Sequence, residues 1–357
     1  VSWSALCTAA SETLGARYPI VQTAMGYVAT PELVAASCNA GAFGILACAT
    51  LAADEVGPAI DRVRALTDRP FGVNFHMFQP GAAQIVDTIV AKRVRAVSFG
   101  RGPDAAMIGR FRTAGLICIA SVGALRHAQK SADLGADMLI VQGGEGGGHT
   151  GSVATTVLLP QVLDAVKVPV FAAGGFADGR GLAAALACGA AGVAMGTRFL
   201  MTRESPVPDA TKARYVKAGL DDVFVTTKLD GIPHRMLRNE LSARIERASG
   251  AGVLATALRN ALELKRLTGA SVSEMLRSAR AMSRSGEMSL GQALLAANSP
   301  VLLQRAVVQG HPAEGIMASG QVAGRLADLP SCAELVERIV REAETRLAAA
   351  CELLPRA

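Results

Sequence analysis

Along the first two hundred residues, apolar positions come in short unbroken runs rather than in strict alternation. The runs lie at Pro19–Gln22, Phe43–Leu46, Phe71–Asn74, Ala96–Phe99, Ile117–Ala120, Met138–Gln142, Val170–Ala173 and Gly192–Met195. Unbroken apolarity over four or five residues predicts strands covered on both faces, as parallel strands are. Between them, helices are predicted near Ala53–Leu66, Ala82–Lys92, Asp104–Ala114, Ala124–Leu134, Val157–Ala165 and Asp178–Ala187. An earlier helix starts at Thr30-Pro31-Glu32, a threonine at the N-cap position with proline at the first helical one, and runs to Asn39. A capped helix also leads into Pro19. Strands alternating with helices give an α/β fold, and eight of them close most naturally into a (β/α)8 TIM barrel. An open doubly wound sheet would want GxGxxG after its first strand, where TAMGYV stands.

After Thr197 the pattern changes. Pro206 and Pro208 punctuate the chain, and from Asp209 to Gly310 it reads as helical and arginine-rich, with almost no strand-like run. A small-residue stretch, Met317–Gly324, follows, and a last helix starts near Ser331. The expected organisation is a barrel from residues 1–208 and 311–357. A helical domain, 209–310, is inserted after strand eight, and the C-terminal helix returns to the barrel.

Composition sharpens this. At 357 residues the chain fits one large barrel plus an appendage. No stretch of ~20 residues lacks polar breaks, so no membrane span is expected, and the first residues carry no secretory pattern. Seven scattered cysteines without a CxxC pair point to a reducing, cytoplasmic setting, with no structural zinc and mostly buried thiols. Few aromatics argue against single-stranded nucleic acid as a ligand. The net charge is +6, and Asp209–Gly310 alone holds 15 Lys and Arg against 9 Asp and Glu, so 15 − 9 = +6.

The chemistry-bearing stretch is Asp137–Gly151, DMLIVQGGEGGGHTG. A buried strand runs into a glycine-dense loop carrying Gln142, Glu145 and His149. Glycine in such density suits main chain that must bend sharply or approach a flat ligand. Barrels bind at the carboxyl ends of strands, with phosphate after strands seven and eight. Those ends read Ala172–Phe176 around Gly174-Gly175, and Ala194–Arg198 around Gly196-Thr197. Two such turns side by side suit a phosphomonoester. Ala24-Met25-Gly26 after strand one is small enough to lie against a ring, and Asn74 and Gln142 supply amide edges. A ring with polar edges and a phosphate tail describes flavin mononucleotide (FMN). Taken singly, either amide is more readily a satisfied structural group. His149 can take or give a proton near neutral pH, against the alternative of a loop residue orienting backbone. Glu145 reads as a loop anchor. His76 and His234 are further pocket candidates, while His127 reads as helix surface and His311 as a turn residue.

The segments PIVQTAMGYVATPELVAASCNAGAFGILA, FGVN, VQGGEGGGHTG, VFAAGGFADGRGLAAALACGAAGVAMGTRF and SGQVAG together resemble the nitronate monooxygenase (2-nitropropane dioxygenase) family. That family includes NAD(P)H:quinone reductases and FMN-type enoyl-acyl-carrier-protein reductases. The resemblance implies that Ala24, Met25, Gly26, Asn74, Gln142, Gly147, Gly148, Gly174, Gly175, Gly196 and Thr197 hold FMN, with Gly320 and Gln321 closing over it. It places His149 where the family's active-site histidine lies, without fixing the reaction. Ala24 departs from the proline that many members carry before the Met. VTTKLDGIPHRMLRNEL and ALLAANSPVLL look most like members acting on coenzyme A thioesters in steroid-ring breakdown, as flavin-dependent desaturases or reductases.

The expected partners are therefore a small-molecule substrate, a CoA thioester among the options, and NAD(P)H or another electron donor or acceptor. Nitronate oxidation and quinone reduction are the competing activities, and a homodimer is left open. The resemblance makes residues 209–310 a lid. Arg235 and Arg238 are expected on one helical face, with Lys265, Arg266, Arg277, Arg280 and Arg284 adding charge suited to CoA phosphates. A flavin-free phosphate-binding barrel would need a loop cysteine nucleophile, which is not found. A flavin-binding regulator would need an output module, and nothing suggests one.

Overall fold

A computed structural model describes residues 6–77, 79–100, 105–247 and 290–353, with side chains of the last segment described from Ser299. The barrel strands are β1 (Ile20–Gln22), β2 (Phe43–Ala47), β3 (Gly72–Asn74), β4 (Ala96–Phe99), β5 (Ile117–Val122), β6 (Met138–Gln142), β8 (Val170–Ala173) and β9 (Gly192–Met195). They pair parallel in that order, and β9 closes on β1 through Val21 opposite Ala194. The eight strands expected from the apolar runs are the eight that form the barrel. One or two residues from seven of the eight strands, among them Val21, Phe43, Ala96, Ile119, Met138, Phe171 and Ala194, pack into a single cluster. Helix α1 (Ala9–Leu14) inserts Ala10 and Leu14 into that same cluster. It is capped at both ends, by the Thr8 side chain on the Ser11 N–H and by left-handed Gly15.

Helices α2 (Pro31–Asn39), α3 (Val56–Leu66), α4 (Ala82–Lys92), α5 (Ala105–Thr113), α6 (Leu125–Asp133), α7 (Thr155–Ala165) and α8 (Gly179–Ala187) fill the crossovers. Thr30 stands at the N-cap of α2 as expected, but its side chain makes no capping bond and its Oγ1 is buried without a partner. Proline at the first helical position already removes one N–H that a cap would serve. The C-terminal helix, Cys332–Cys351, starts on a Ser331–Glu334 capping box. It packs along α8, as the expected return to the barrel requires.

The chain divides into two compact units. The barrel unit comprises residues 1–146, 151–206 and 328–357, and the second comprises 147–150 and 207–327. The second unit thus runs beyond residue 310, where the sequence pattern placed the return to the barrel, and takes four residues of the glycine loop.

Nor is the second unit helical throughout, which corrects the expectation for 209–310. It holds a three-stranded antiparallel sheet ordered β10 (Val223–Thr226), β11 (His234–Leu237), β7 (Gly148–His149). Both longer strands carry polar residues, because only one face meets the core of Leu229, Met236, Leu241, Ile245, Leu302 and Ile316. Helices of this unit include Asp209–Val216, Glu240–Arg247 and Leu290–Val307. Among the described residues, no helix is long and apolar enough to cross a membrane.

Candidate active site

In the barrel unit the candidate residues gather at the carboxyl ends of the strands. Gln142 ends β6, and the chain turns at once through Gly143, whose N–H donates to the Ala173 carbonyl at 3.0 Å. A Cβ on Gly143 would lie 2.1 Å from Thr155 Oγ1 and 2.5 Å from the Thr155 backbone, so no larger residue fits. Glu145 clamps this turn: its carboxylate accepts from the Thr155 N–H at 2.9 Å and the Thr155 hydroxyl at 2.7 Å. The anchoring role expected of Glu145 is the one it has.

Beyond β8, Gly174 and Gly175 are both left-handed, at φ +94° and +84°. Two consecutive residues in that region turn main chain in a way L side chains rarely allow. Gly175 is exposed. Beyond β9, Gly196 precedes the short helix Thr197–Leu200, and a Cβ there would meet Thr23 Oγ1 at 3.1 Å and Met25 Sδ at 3.4 Å. The β1 and β9 ends are thus brought together. Thr23, Ala24, Met25 and Gly26 are all half-buried. The Asn74 amide donates to the Ser98 carbonyl at 3.1 Å, so part of its hydrogen-bonding capacity serves the barrel. His76 is exposed, its N–H bonded to the Gln79 side chain.

Three barrel features carried no sequence signal. Gln22 is fully buried at the end of β1, and its Oε1 has no partner. Tyr27 adopts φ 63°, a left-handed conformation costing roughly 1–2 kcal/mol for a side-chain-bearing residue. Arg198 is buried and donates to Asp328 Oδ1 at 2.8 Å and to the Met201 carbonyl at 2.6 Å, tying the segment after β9 to the C-terminal stretch. Cys38, Cys48, Cys118 and Cys332 are buried with thiols pushed up to about 12 by burial, which leaves them poor nucleophiles. Cys7, Cys188 and Cys351 are exposed.

The second unit gathers a different cluster. His149 lies directly opposite His234 across the β7–β11 pair, and the Thr150 N–H bonds the Pro233 carbonyl. The two imidazoles meet edge to face with ring centroids 5.1 Å apart. His149 Nε2 sits 2.5 Å from Asp230 Oδ2. His149 is exposed, whereas Asp230 is largely covered. Burial, seconded by the charge of His149, pushes the His234 imidazole down to about 4, against the pull of Asp230. His234 Nε2 is buried without a partner, as is Ser319 Oγ on the neighbouring strand-like segment. Burial alone would raise the Asp230 carboxyl. The hydrogen bond and charge of His149 and the Ile232 N–H outweigh it and hold the group below the usual range.

Gly147 belongs to this cluster, since a Cβ there would lie 2.5 Å from the Gly320 nitrogen. Gly320 is buried, Gln321 is exposed and Gly148 is left-handed at φ 69°. Arg235 and Arg238 do not share a helical face, which corrects the sequence expectation. Arg235 lies within β11 opposite Gly148, and Arg238 follows the strand with its guanidinium 4.4 Å above the Phe224 ring. Residues three apart on a strand point to opposite faces. Lys265, Arg266, Arg277, Arg280 and Arg284 lie outside the described residues. Sequence inspection missed Asp230, which reads as part of an Asp-Gly turn 81 positions from His149.

The residues present in the barrel fit a flavin phosphate: two adjacent glycine turns, one doubly left-handed, leave main chain open where a Cβ on Gly174 or Gly196 would crowd its neighbours at 3.0 and 3.1 Å. Comparison with known proteins gives the family. A sequence profile of the nitronate monooxygenase family matches residues 8–86 and 79–342. The chain is 52% identical over 352 residues to a protein of Mycobacterium tuberculosis named (3aS,4S,5R,7aS)-5-hydroxy-7a-methyl-1-oxo-octahydro-1H-indene-4-carboxyl-CoA dehydrogenase, covering 98% of this chain and 99% of that one. It is 50% identical over 344 residues to the protein of that name from Rhodococcus jostii, covering 96% and 98%. Among solved structures, FabK from Thermotoga maritima superposes with a TM-score of 0.78 at 32% identity, over 98% of this chain and 100% of FabK.

Proposed function

This chain belongs to the nitronate monooxygenase family, and from that premise we propose that it is an FMN-dependent acyl-CoA dehydrogenase. Its substrate is a bicyclic CoA thioester of steroid-ring breakdown. The observation that carries this reading is the reach of the likeness to two such dehydrogenases: half the residues identical across 96–98% of the chain. A likeness confined to the barrel would support only a flavin enzyme, since folds host many chemistries.

FMN, when bound, supplies the hydride acceptor or donor. The main chain at Gly174-Gly175 and Gly196-Thr197 would hold its phosphate through N–H groups. Ala24, Met25 and Gly26 would lie against its ring, with Asn74 and Gln142 at the ring edges. Glu145, through Thr155, keeps the glycine turn in the shape this requires. His149 would exchange the substrate proton. Arg235 and Arg238 are the described basic residues offered to the CoA phosphates.

The test compares anaerobic flavin reduction or reoxidation by a bicyclic acyl-CoA, by the corresponding free acid and by propyl nitronate. The acyl-CoA reacts fastest, and raised salt or Arg235→Ala with Arg238→Ala slows it selectively. Purified protein that takes up no FMN would remove the cofactor assignment. Equal rates with and without the CoA moiety would remove the substrate class and leave nitronate oxidation in its place.

A further inference from the structure

We propose that Asp230 is a positioning residue for His149: it holds the imidazole as the Nε2–H tautomer, so that protons are exchanged at Nδ1. The argument rests on the reading of His149 as the proton-handling group, and it begins with the contact between His149 Nε2 and Asp230 Oδ2 at 2.5 Å. A carboxylate only accepts hydrogen bonds, so the nitrogen facing it must carry the hydrogen.

The carboxylate is itself fixed. Its other oxygen accepts the Ile232 N–H at 3.1 Å, and the Gly231 N–H closes the turn onto the Thr227 carbonyl at 2.9 Å. Left-handed Gly231, at φ 80°, permits that turn. The histidine is held from the other side by the β7–β11 pair and by the edge-to-face contact with His234. His149 therefore sits between a fixed anion and the largely covered His234 ring, with Arg235 opposite Gly148 in the strand register. An exposed pair formed only by surface charge would need neither the turn nor the strand register. The arrangement matches the general pattern in which a carboxylate orients a catalytic imidazole and stabilises its protonated form.

The experiment uses full-length holoenzyme labelled with 15N-histidine, of which the chain has only five residues. The His149 signals are assigned by their loss in His149→Ala. In the wild type above neutral pH, Nε2 is expected to show the shift of a protonated nitrogen and Nδ1 that of a bare one. In Asp230→Asn the amide can donate as well as accept, so the tautomers mix. Turnover should then drop by about 10²-fold or more, with flavin retained and KM changed less than threefold, and Asp230→Glu should restore part of it. A wild-type His149 carrying its hydrogen on Nδ1 overturns the proposal without recourse to any variant. So does an Asp230→Asn protein with unchanged tautomer and turnover. If the tautomer responds as expected while no acyl-CoA reacts with the wild type, the substrate reading fails and the role of Asp230 stands.

Discussion

Acid should weaken the second unit through His234. Its imidazole is covered, its Nε2 has no partner, and burial pushes it from 6.5 down to about 4. An unfolded chain would protonate this histidine near 6.5, so between about pH 6.5 and 4 the unfolded state binds more protons than the folded one. Stability is therefore fully present above 6.5 and is lost as pH falls through that window. At ~1.4 kcal/mol for each tenfold change, the displacement corresponds to a loss of about 3 kcal/mol across it. His149 and Asp230 share the site, so the slope belongs to the cluster, and a difference measurement isolates it. Urea unfolding followed by circular dichroism from pH 7 to pH 4 would be compared for wild type and His234→Gln. Hydrogen exchange over Val223–Leu237 would locate the effect. The variant is expected to start less stable, and the gap between the curves should close by about 3 kcal/mol towards pH 4. Parallel curves, or a gap that widens in acid, would show that burial does not disfavour the charged imidazole and would refute the reasoning.

Three further outcomes follow from the barrel. Gly143→Ala places a Cβ 2.1 Å from Thr155 Oγ1 and 2.5 Å from its backbone, where no side-chain rotation relieves the clash; about 1–3 kcal/mol of stability should go, read as a lower melting temperature together with weaker flavin retention. Gly175→Asp puts a side chain at φ +84° and a carboxylate where the phosphate would bind; FMN affinity should fall at least tenfold in titration, while circular dichroism still reports a folded barrel. Arg198→Met leaves the Met201 and Asp328 carbonyls without their guanidinium donor. A loss of roughly 2–4 kcal/mol in urea unfolding is expected, moderated because Asp328 keeps its pair with Arg338.

The barrel was legible because each of its strands announces itself locally. A strand buried on both faces must be apolar at every position, so VFAA or MLIV reads as a strand whatever its partners are. The glycine turns after β8 and β9 were legible for a related reason: glycine at a strand end marks a backbone that a side chain would strain or crowd. The second unit obeys neither rule. VFVT and HRML each cover one face of a small core and mix polar with apolar residues, and HRML lies just ahead of an arginine-bearing helix, Glu240–Arg247. Their third partner, Gly148-His149, is two residues long and has no periodicity at all. It is a strand only because His234 and Arg235, more than eighty positions away, pair with it. The same long separation hides the chemistry. His149 was visible in its glycine loop, but nothing near it in sequence tells which nitrogen carries its proton. We assign that property to Asp230, which reaches His149 from a turn of another segment. Residues placed by such pairings are the least legible in this chain, and they include Asp230, whose carboxylate faces His149.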